Sequence, residues 1–279
     1  MKKIIAAAVA SAFIAPAFAA DITISGDQEF SYQDNNGAST AALDGDFNVK
    51  ASTETATGLS VSADINVAED AANDGSASLT ISGPFGKIDA GDTSSALDAI
   101  DDGTDWGYVL TNGTPNNDAA ILWTLPSTVD GLTLNLSMGA ETNYDTGVSE
   151  GNGYSAKYSV GDLTVGYGVQ DNKDDTEMSY VTASYSMAGI GISAEQYSSQ
   201  PATGNDTDTD SIGVTYSMGD LTLAAESQQV SSAGTTSADT LVLGLHYSLG
   251  GGVTAFIENS DDAKSSTAET TAVGVAMSF

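Results

Sequence analysis

Between Leu132 and Met138 apolar and polar residues alternate one for one, with Leu132, Leu134, Leu136 and Met138 set against Thr133, Asn135 and Ser137. The same period of two returns along most of the 279-residue chain. Leu59, Val61, Ala63, Ile65 and Val67 alternate with Ser60, Ser62, Asp64 and Asn66, and the last residues place Thr271, Val273, Val275, Met277 and Phe279 on one face. Runs of the same kind begin at Phe47, Leu163, Ile212 and Leu241. Period two sends successive side chains to opposite faces of an extended strand, so each run is a strand with one greasy and one wet face. After the first twenty residues, Gly, Asp, Asn or Ser interrupts every apolar run within a few positions, which excludes a helical membrane span of roughly 20 residues. The fold class is all-β.

A repeated unit punctuates the strands. Tyr158 opens YSVGD, Tyr185 YSMAG, Tyr216 YSMGD and Tyr247 YSLGG, at spacings of 27, 31 and 31 residues. Each reads as a tight hairpin, a strand arriving with Tyr on its apolar face and a Gly-containing turn sending out a second alternating strand. Shorter equivalents lie at Thr57-Gly58, Pro84-Phe85-Gly86 and Ser127 to Gly131. Between them lie longer segments rich in Asp, Asn, Ser, Thr and Gly: 33–42, 69–75, 92–118, 140–152, 171–176, 198–209, 230–238 and 259–267. Seven short connections and eight long ones in strict alternation imply sixteen strands, with every short connection at one end.

That asymmetry separates all-β architectures. Sandwiches and propellers have no reason to collect short connections at one end, whereas an outer-membrane barrel has short periplasmic turns and longer external loops. In lipid every backbone donor and acceptor must be paired within the protein, and a closed sheet is the strand-based way to do it. The reading is a transmembrane antiparallel β-barrel of sixteen strands. The four repeated Tyr, all at the same end of their strands, suit a membrane interface; cross-strand aromatic packing is the alternative.

The charge balance narrows the partners. Seven Lys and no Arg stand against 38 Asp and Glu, a net charge of −31, so a phosphate backbone has no cationic surface to meet and nucleic acid is excluded as a partner. The chain has no Cys and a single His246, which removes disulfides, thiolate metal sites and any His-pair metal centre. An apolar fraction of 41% spread along the whole chain argues for folding despite the charge. Lys2 and Lys3, the apolar stretch from Ile4 to about Ile14, Pro16 and Ala17-Phe18-Ala19 have the layout of a secretory signal peptide, so residues 1–19 are expected to be a cleaved leader and 20–279 one barrel domain.

With these features in place the chain resembles the general diffusion porins of Gram-negative outer membranes, in particular their Rhodobacter-type branch. The resemblance spans the whole mature chain. It is carried by Ile22-Thr23-Ile24-Ser25-Gly26-Asp27, the segment from Gly83-Pro84-Phe85-Gly86 through Lys87-Ile88-Asp89-Ala90-Gly91, the YSxGD-like hairpins and the terminal Phe279. It implies a homotrimer of sixteen-stranded barrels in outer-membrane lipid and lipopolysaccharide. It also implies a third long loop folded into the lumen as a constriction, and a C-terminal strand read by the assembly machinery. The sequence departs from the family at Gly91-Asp92, where the pattern often ends Gly-Arg, and in lacking the Arg cluster usually set opposite the acidic inward loop. The chain is also short for the group, which implies trimmed loops or fourteen strands.

Alternation alone assigns the pore wall. Lys50 and Glu54 fall on the polar face opposite Phe47, Val49 and Ala51; Lys87 and Asp89 share the face opposite Ile88 and Ala90; Lys157 lies opposite Tyr154, Ala156 and Tyr158. A cation on the lipid face at the midplane costs roughly 2–4 kcal/mol, so these Lys belong in the lumen. Segment 92–118 is the candidate constriction loop, with Asp98, Asp101, Asp102 and Asp105 as its carboxylates and Trp106 and Tyr108 able to pack it on the wall. Facing few cations, those carboxylates would concentrate cations and exclude anions; the alternative is an external loop whose Asp are merely solvated. Lys173 and Lys264 fall in loops.

Clusters at Asp171 to Asp175, Asp206 to Asp210 and Asp261-Asp262 offer oxygen ligands for calcium, but none has an EF-hand or acidic-repeat spacing, and solvated surface is the better reading. His246 lies on the polar face with no Ser or carboxylate partner at a hydrolase-like spacing. The expectation is therefore a non-enzymatic porin without a cofactor, passing small hydrophilic solutes and ions with cation preference. The rival is an exported acidic β-protein acting as an adhesin or surface structural component.

Overall fold

The computed structural model describes residues 21–68, 76–101, 107, 118–139, 151–172, 174–265 and 269–279. The expected leader, residues 1–19, lies outside the described residues. Sixteen strands are formed among the described residues: β1 (Asp21–Asn35), β2 (Ala38–Glu54), β3 (Ser60–Ala68), β4 (Ala77–Gly83), β5 (Gly86–Ser94), β6 (Asp118–Thr124), β7 (Leu132–Met138) and β8 (Gly151–Val160). The second half comprises β9 (Leu163–Asn172), β10 (Glu177–Met187), β11 (Ile190–Gln200), β12 (Thr207–Met218), β13 (Leu221–Ser232), β14 (Thr235–Gly250), β15 (Val253–Asp262) and β16 (Thr270–Ser278). Every strand pairs antiparallel with its neighbours in the chain, and β1 pairs with β16 from Asp27 opposite Ser278 to Asn35 opposite Thr270, closing the sheet. Closure leaves no unpaired edge in lipid.

The alternation resolves into outside and inside. On β14, Leu241, Leu243, Leu245 and Tyr247 are exposed on the outer surface, while Val242 between them is buried on the inner one. Tyr158, Tyr185, Tyr216 and Tyr247 all face outward beside the two-residue turns 161–162, 188–189, 219–220 and 251–252. A ring with a polar tip is suited to the boundary between hydrocarbon and water.

Connections at that end are short throughout, the others being 55–59, 84–85 and 125–131. At the opposite end they are mostly longer, but two segments read as loops, 33–42 and 230–238, are instead strand tips. They are closed by Asn36-Gly37 (φ 51° and 88°) and Ala233-Gly234 (φ 50° and 71°). Both central residues at positive φ is the turn whose twist matches paired strands. Beyond the lipid band both faces of a strand meet water, so its polar composition mimics a loop while the backbone ladder continues. β1, β2 and β14 consequently reach 15, 17 and 16 residues. Among the described residues β4, β6 and β7 have 7 each, fewer than the roughly 9–11 a tilted strand needs to cross hydrocarbon.

Candidate functional site

After β5 the chain turns inward instead of crossing directly to β6. Ser95, Ala96, Leu97 and Ile100 are buried, and Asp98–Ile100 form a single 3-10 turn. Leu97 and Ile100 pack with Met178 and Tyr180 of β10 and Tyr197 of β11, an apolar cluster on the otherwise polar inner wall. Burying each aliphatic side chain contributes roughly 1.5–3 kcal/mol. Polar ties flank the cluster: the Ala96 amide donates to Ser137 Oγ at 2.9 Å, and Thr182 Oγ1 donates to the Ile100 carbonyl at 3.1 Å. The wall is stripped of side chains beneath the turn by Gly153 on β8 and Gly166 and Gly168 on β9.

This turn carries two of the four expected loop carboxylates. Burial pushes the Asp98 carboxyl above its ordinary range, Asp101 nearby pushes in the same direction, and a hydrogen bond with Ser94 offsets part of the shift. Asp101 is half-buried at the end of the turn. Asp102 and Asp105, with Trp106 and Tyr108, lie outside the described residues, as does Lys173.

The five expected wall residues fall into three places. Lys50 and Glu54 line one polar recess of about 290 Å³ with Asp21, Ser52 and Ser62, near the short-turn end of β1 to β4. Asp64 stands directly across the strand pair from Lys50 and accepts a hydrogen bond from Asn48. Lys87 Nζ meets Asp89 Oδ2 at 2.8 Å, and Thr80 Oγ1 donates to Asp89 Oδ1 at 2.6 Å, so these two form a local pair on β5. Lys157 is on β8, in register with Gly166 beneath the inward turn.

More acid faces inward than the sequence reading singled out. Glu195, Glu226 and Glu258 each occupy the sixth position of a strand leaving a short turn, in β11, β13 and β15, and are 6%, 1% and 0% exposed. Their neighbours in register leave room: Gly213 opposite Glu226 and Gly244 opposite Glu258. In the first hairpin, Asp27 is directly opposite Asp46 and Glu29 opposite Asp44, like charges paired on the inner face of β1 and β2. The signal was present as Ile190 to Glu195, Leu221 to Glu226 and Val253 to Glu258, three copies of an alternating run ending in Glu five residues after its first apolar residue. His246 is not isolated: its Nε2 lies 2.9 Å from Glu258 Oε1, and Phe256 presents its ring edge-on at 6.3 Å. Among the described residues no group of three or more His, Asp or Glu converges so as to hold a metal ion.

A closed barrel with an apolar exterior, a charged and hydrogen-bonded interior and a loop segment seated inside it defines a membrane-channel barrel. The chain matches the Gram-negative porin family over residues 6–274 and belongs to that family. It is an outer-membrane porin. Its fold is similar to that of a porin refined at 1.8 Å, with a TM-score of 0.75, 20% identity and coverage of 93% of this chain and 100% of that one. The Salmonella typhi OmpF complex with daunomycin gives 0.77 at 15% identity over 94% and 98% of the two chains. A Rh. blastica porin mutant gives 0.72 at 18% identity over 93% and 100%. At these identities the structural likeness carries the fold alone. No curated sequence relative matches the chain.

Proposed function

We propose that this porin passes small hydrophilic solutes and ions by passive diffusion, with a preference for cations, and performs no covalent chemistry. The observation that carries the reading is the acidic inner wall: Glu195, Glu226 and Glu258 with Asp27, Glu29, Asp44 and Asp46, met by Lys50, Lys87 and Lys157 and by no Arg. In a narrow water-filled passage with low-dielectric walls such an excess focuses a negative potential, which raises the local concentration of cations and repels anions. Asp98 and Asp101 add their charge where the inward turn narrows the lumen, and size sieving follows from the width left beside it. Passive diffusion needs no cofactor.

The assembly reading starts from the shortest described strands. Strands of seven residues in β4, β6 and β7 span less than the hydrocarbon thickness, which favours covering that side with further copies of the chain. One structural neighbour, OmpT of Vibrio cholerae, is described in a trimer form, and a homotrimer is the assembly we propose here. Residues 1–19 serve as the export signal.

Reversal potentials across a KCl gradient in planar bilayers test the selectivity. The expected sign is that of cation flow down the gradient; an anion-selective potential would overturn the preference while leaving the channel itself standing.

A further inference from the structure

The apolar cluster inside the lumen has no place in a simple scheme of greasy outside and wet inside. Leu97 and Ile100 are 1% and 0% exposed, although they belong to a segment that enters a polar lumen. Their seat is specific in shape. A Cβ on Gly166 would come within 3.2 Å of Ile100 Cβ, one on Gly168 within 3.3 Å of both Ile100 Cδ1 and Leu97 Cδ1, and one on Gly153 within 3.3 Å of Ala96 Cβ. Three neighbouring inward positions on β8 and β9 are thus bare, and the three loop side chains occupy the space that ordinary residues would fill. Met178, Tyr180 and Tyr197 close the far side of the seat, with Tyr180 and Tyr197 packed edge to face at 6.3 Å. The Thr182 hydroxyl satisfies the buried Ile100 carbonyl, which this packing removes from water.

We propose that Leu97 and Ile100, seated over Gly153, Gly166 and Gly168, act as an apolar clip that pins residues 95–101 flat against the inner wall, and that this clip fixes the width of the passage and the place of Asp98 and Asp101 within it. Leu97, Ile100 and the three glycines are positioning residues; they act on passing ions only through the carboxylates they place. Apolar contact suits the task because it is insensitive to salt, whereas an ion-pair tether in the same water-filled lumen would weaken as ionic strength rises. The inference rests on the lumen being the conducting path.

The test uses the full barrel in planar bilayers. Leu97→Asp with Ile100→Asp replaces the clip by two charges and should turn a steady open-channel current into one with added noise and several sublevels. Ile100→Leu, which keeps the apolar contact, should remain steady. Gly168→Val leaves the loop unaltered and fills the seat from the wall side, where a Cβ would already come within 3.3 Å of Ile100 Cδ1 and Leu97 Cδ1, and it should add the same noise and sublevels. A steady, unchanged current in the double-Asp variant or in Gly168→Val would overturn the clip. Absence of any current from the unsubstituted protein would instead overturn the channel reading on which it rests.

Discussion

The Thr182 hydroxyl donates to the Ile100 carbonyl oxygen at 3.1 Å, joining β10 to a loop residue 82 positions away in sequence through two groups that are both buried. Thr182→Val keeps the shape and removes the donor, leaving a buried carbonyl unsatisfied at a cost of about 1–3 kcal/mol. Amide exchange at Ala99, Ile100 and Asp101 should quicken in this variant while the strand amides of β9 and β10 keep their protection. Equal exchange in both proteins would show that the bond does not hold the turn.

The inner-wall glutamates should act additively on selectivity. Glu195→Gln, Glu226→Gln and Glu258→Gln, taken singly and then together, should lower the cation-to-anion permeability ratio in steps. The effect should be large in dilute salt and small near 1 M, where the screening length falls from about 10 Å at 0.1 M to about 3 Å. Permeability ratios that ignore the triple substitution would place the selective region elsewhere.

Acidification should erode cation preference earlier than ordinary carboxylates predict. Burial raises the Asp98 pKa above its ordinary 3.8, so in the window between the two values the folded protein holds a proton the unfolded chain has released. Seating of the turn is therefore most stable below 3.8 and loses stability as pH rises through the raised value, while the negative charge that favours cations appears over that same rise. Asp98→Asn should shrink the part of the selectivity titration that lies above the ordinary carboxylate range. A titration curve identical in variant and parent would assign that part to other groups.

The lipid face and the lumen should respond differently to the same substitution. Leu243, exposed on the outer surface of β14, should lose roughly 2–4 kcal/mol of stability on replacement by Lys if it lies near the midplane, read from urea unfolding in vesicles. Thr222→Lys on the inner face of β13 should leave unfolding nearly unchanged and shift ion selectivity toward anions. Similar destabilisation by both would contradict the facing assigned to these strands.

Two turns carry removable strain at an alanine, Ala188 and Ala233. Ala188 has a φ of 53°, a conformation that costs an L residue with a Cβ about 1–2 kcal/mol and that Asn tolerates better. Ala188→Asn should raise resistance to unfolding without altering conductance.

Much of this architecture is written in the alternation. Leu221, Leu223 and Ala225 against Thr222, Ala224 and Glu226 is enough to assign β13 its two faces, and the Tyr-containing turns locate one end of the barrel. The tips near Asn36-Gly37 and Ala233-Gly234 were not legible as strand, because water on both faces removes the apolar half of the pattern while pairing persists. The candidate site was legible only in part. Lys50, Lys87 and Lys157 are few and conspicuous in the sequence. Glu195, Glu226 and Glu258 were hidden among 38 acidic residues and stand out only when the strands are aligned on their turns. Leu97 and Ile100 defeat a two-letter pattern altogether: whether an apolar side chain in a loop meets water or a bare patch of wall depends on Gly166 and Gly168, about 70 residues further on.

The central claim is that alternate residues of one strand meet water inside and lipid outside, and a chain without Cys allows this to be read one side chain at a time. Single cysteines at Thr222, Leu223, Ala225 and Gln228 of β13, treated with a charged, membrane-impermeant thiol reagent during bilayer recording, make the measurement. Thr222→Cys and Gln228→Cys should react and lose current, with Leu223→Cys and Ala225→Cys unaffected. Reaction and block at Leu223→Cys and Ala225→Cys, with the other two inert, would contradict the account.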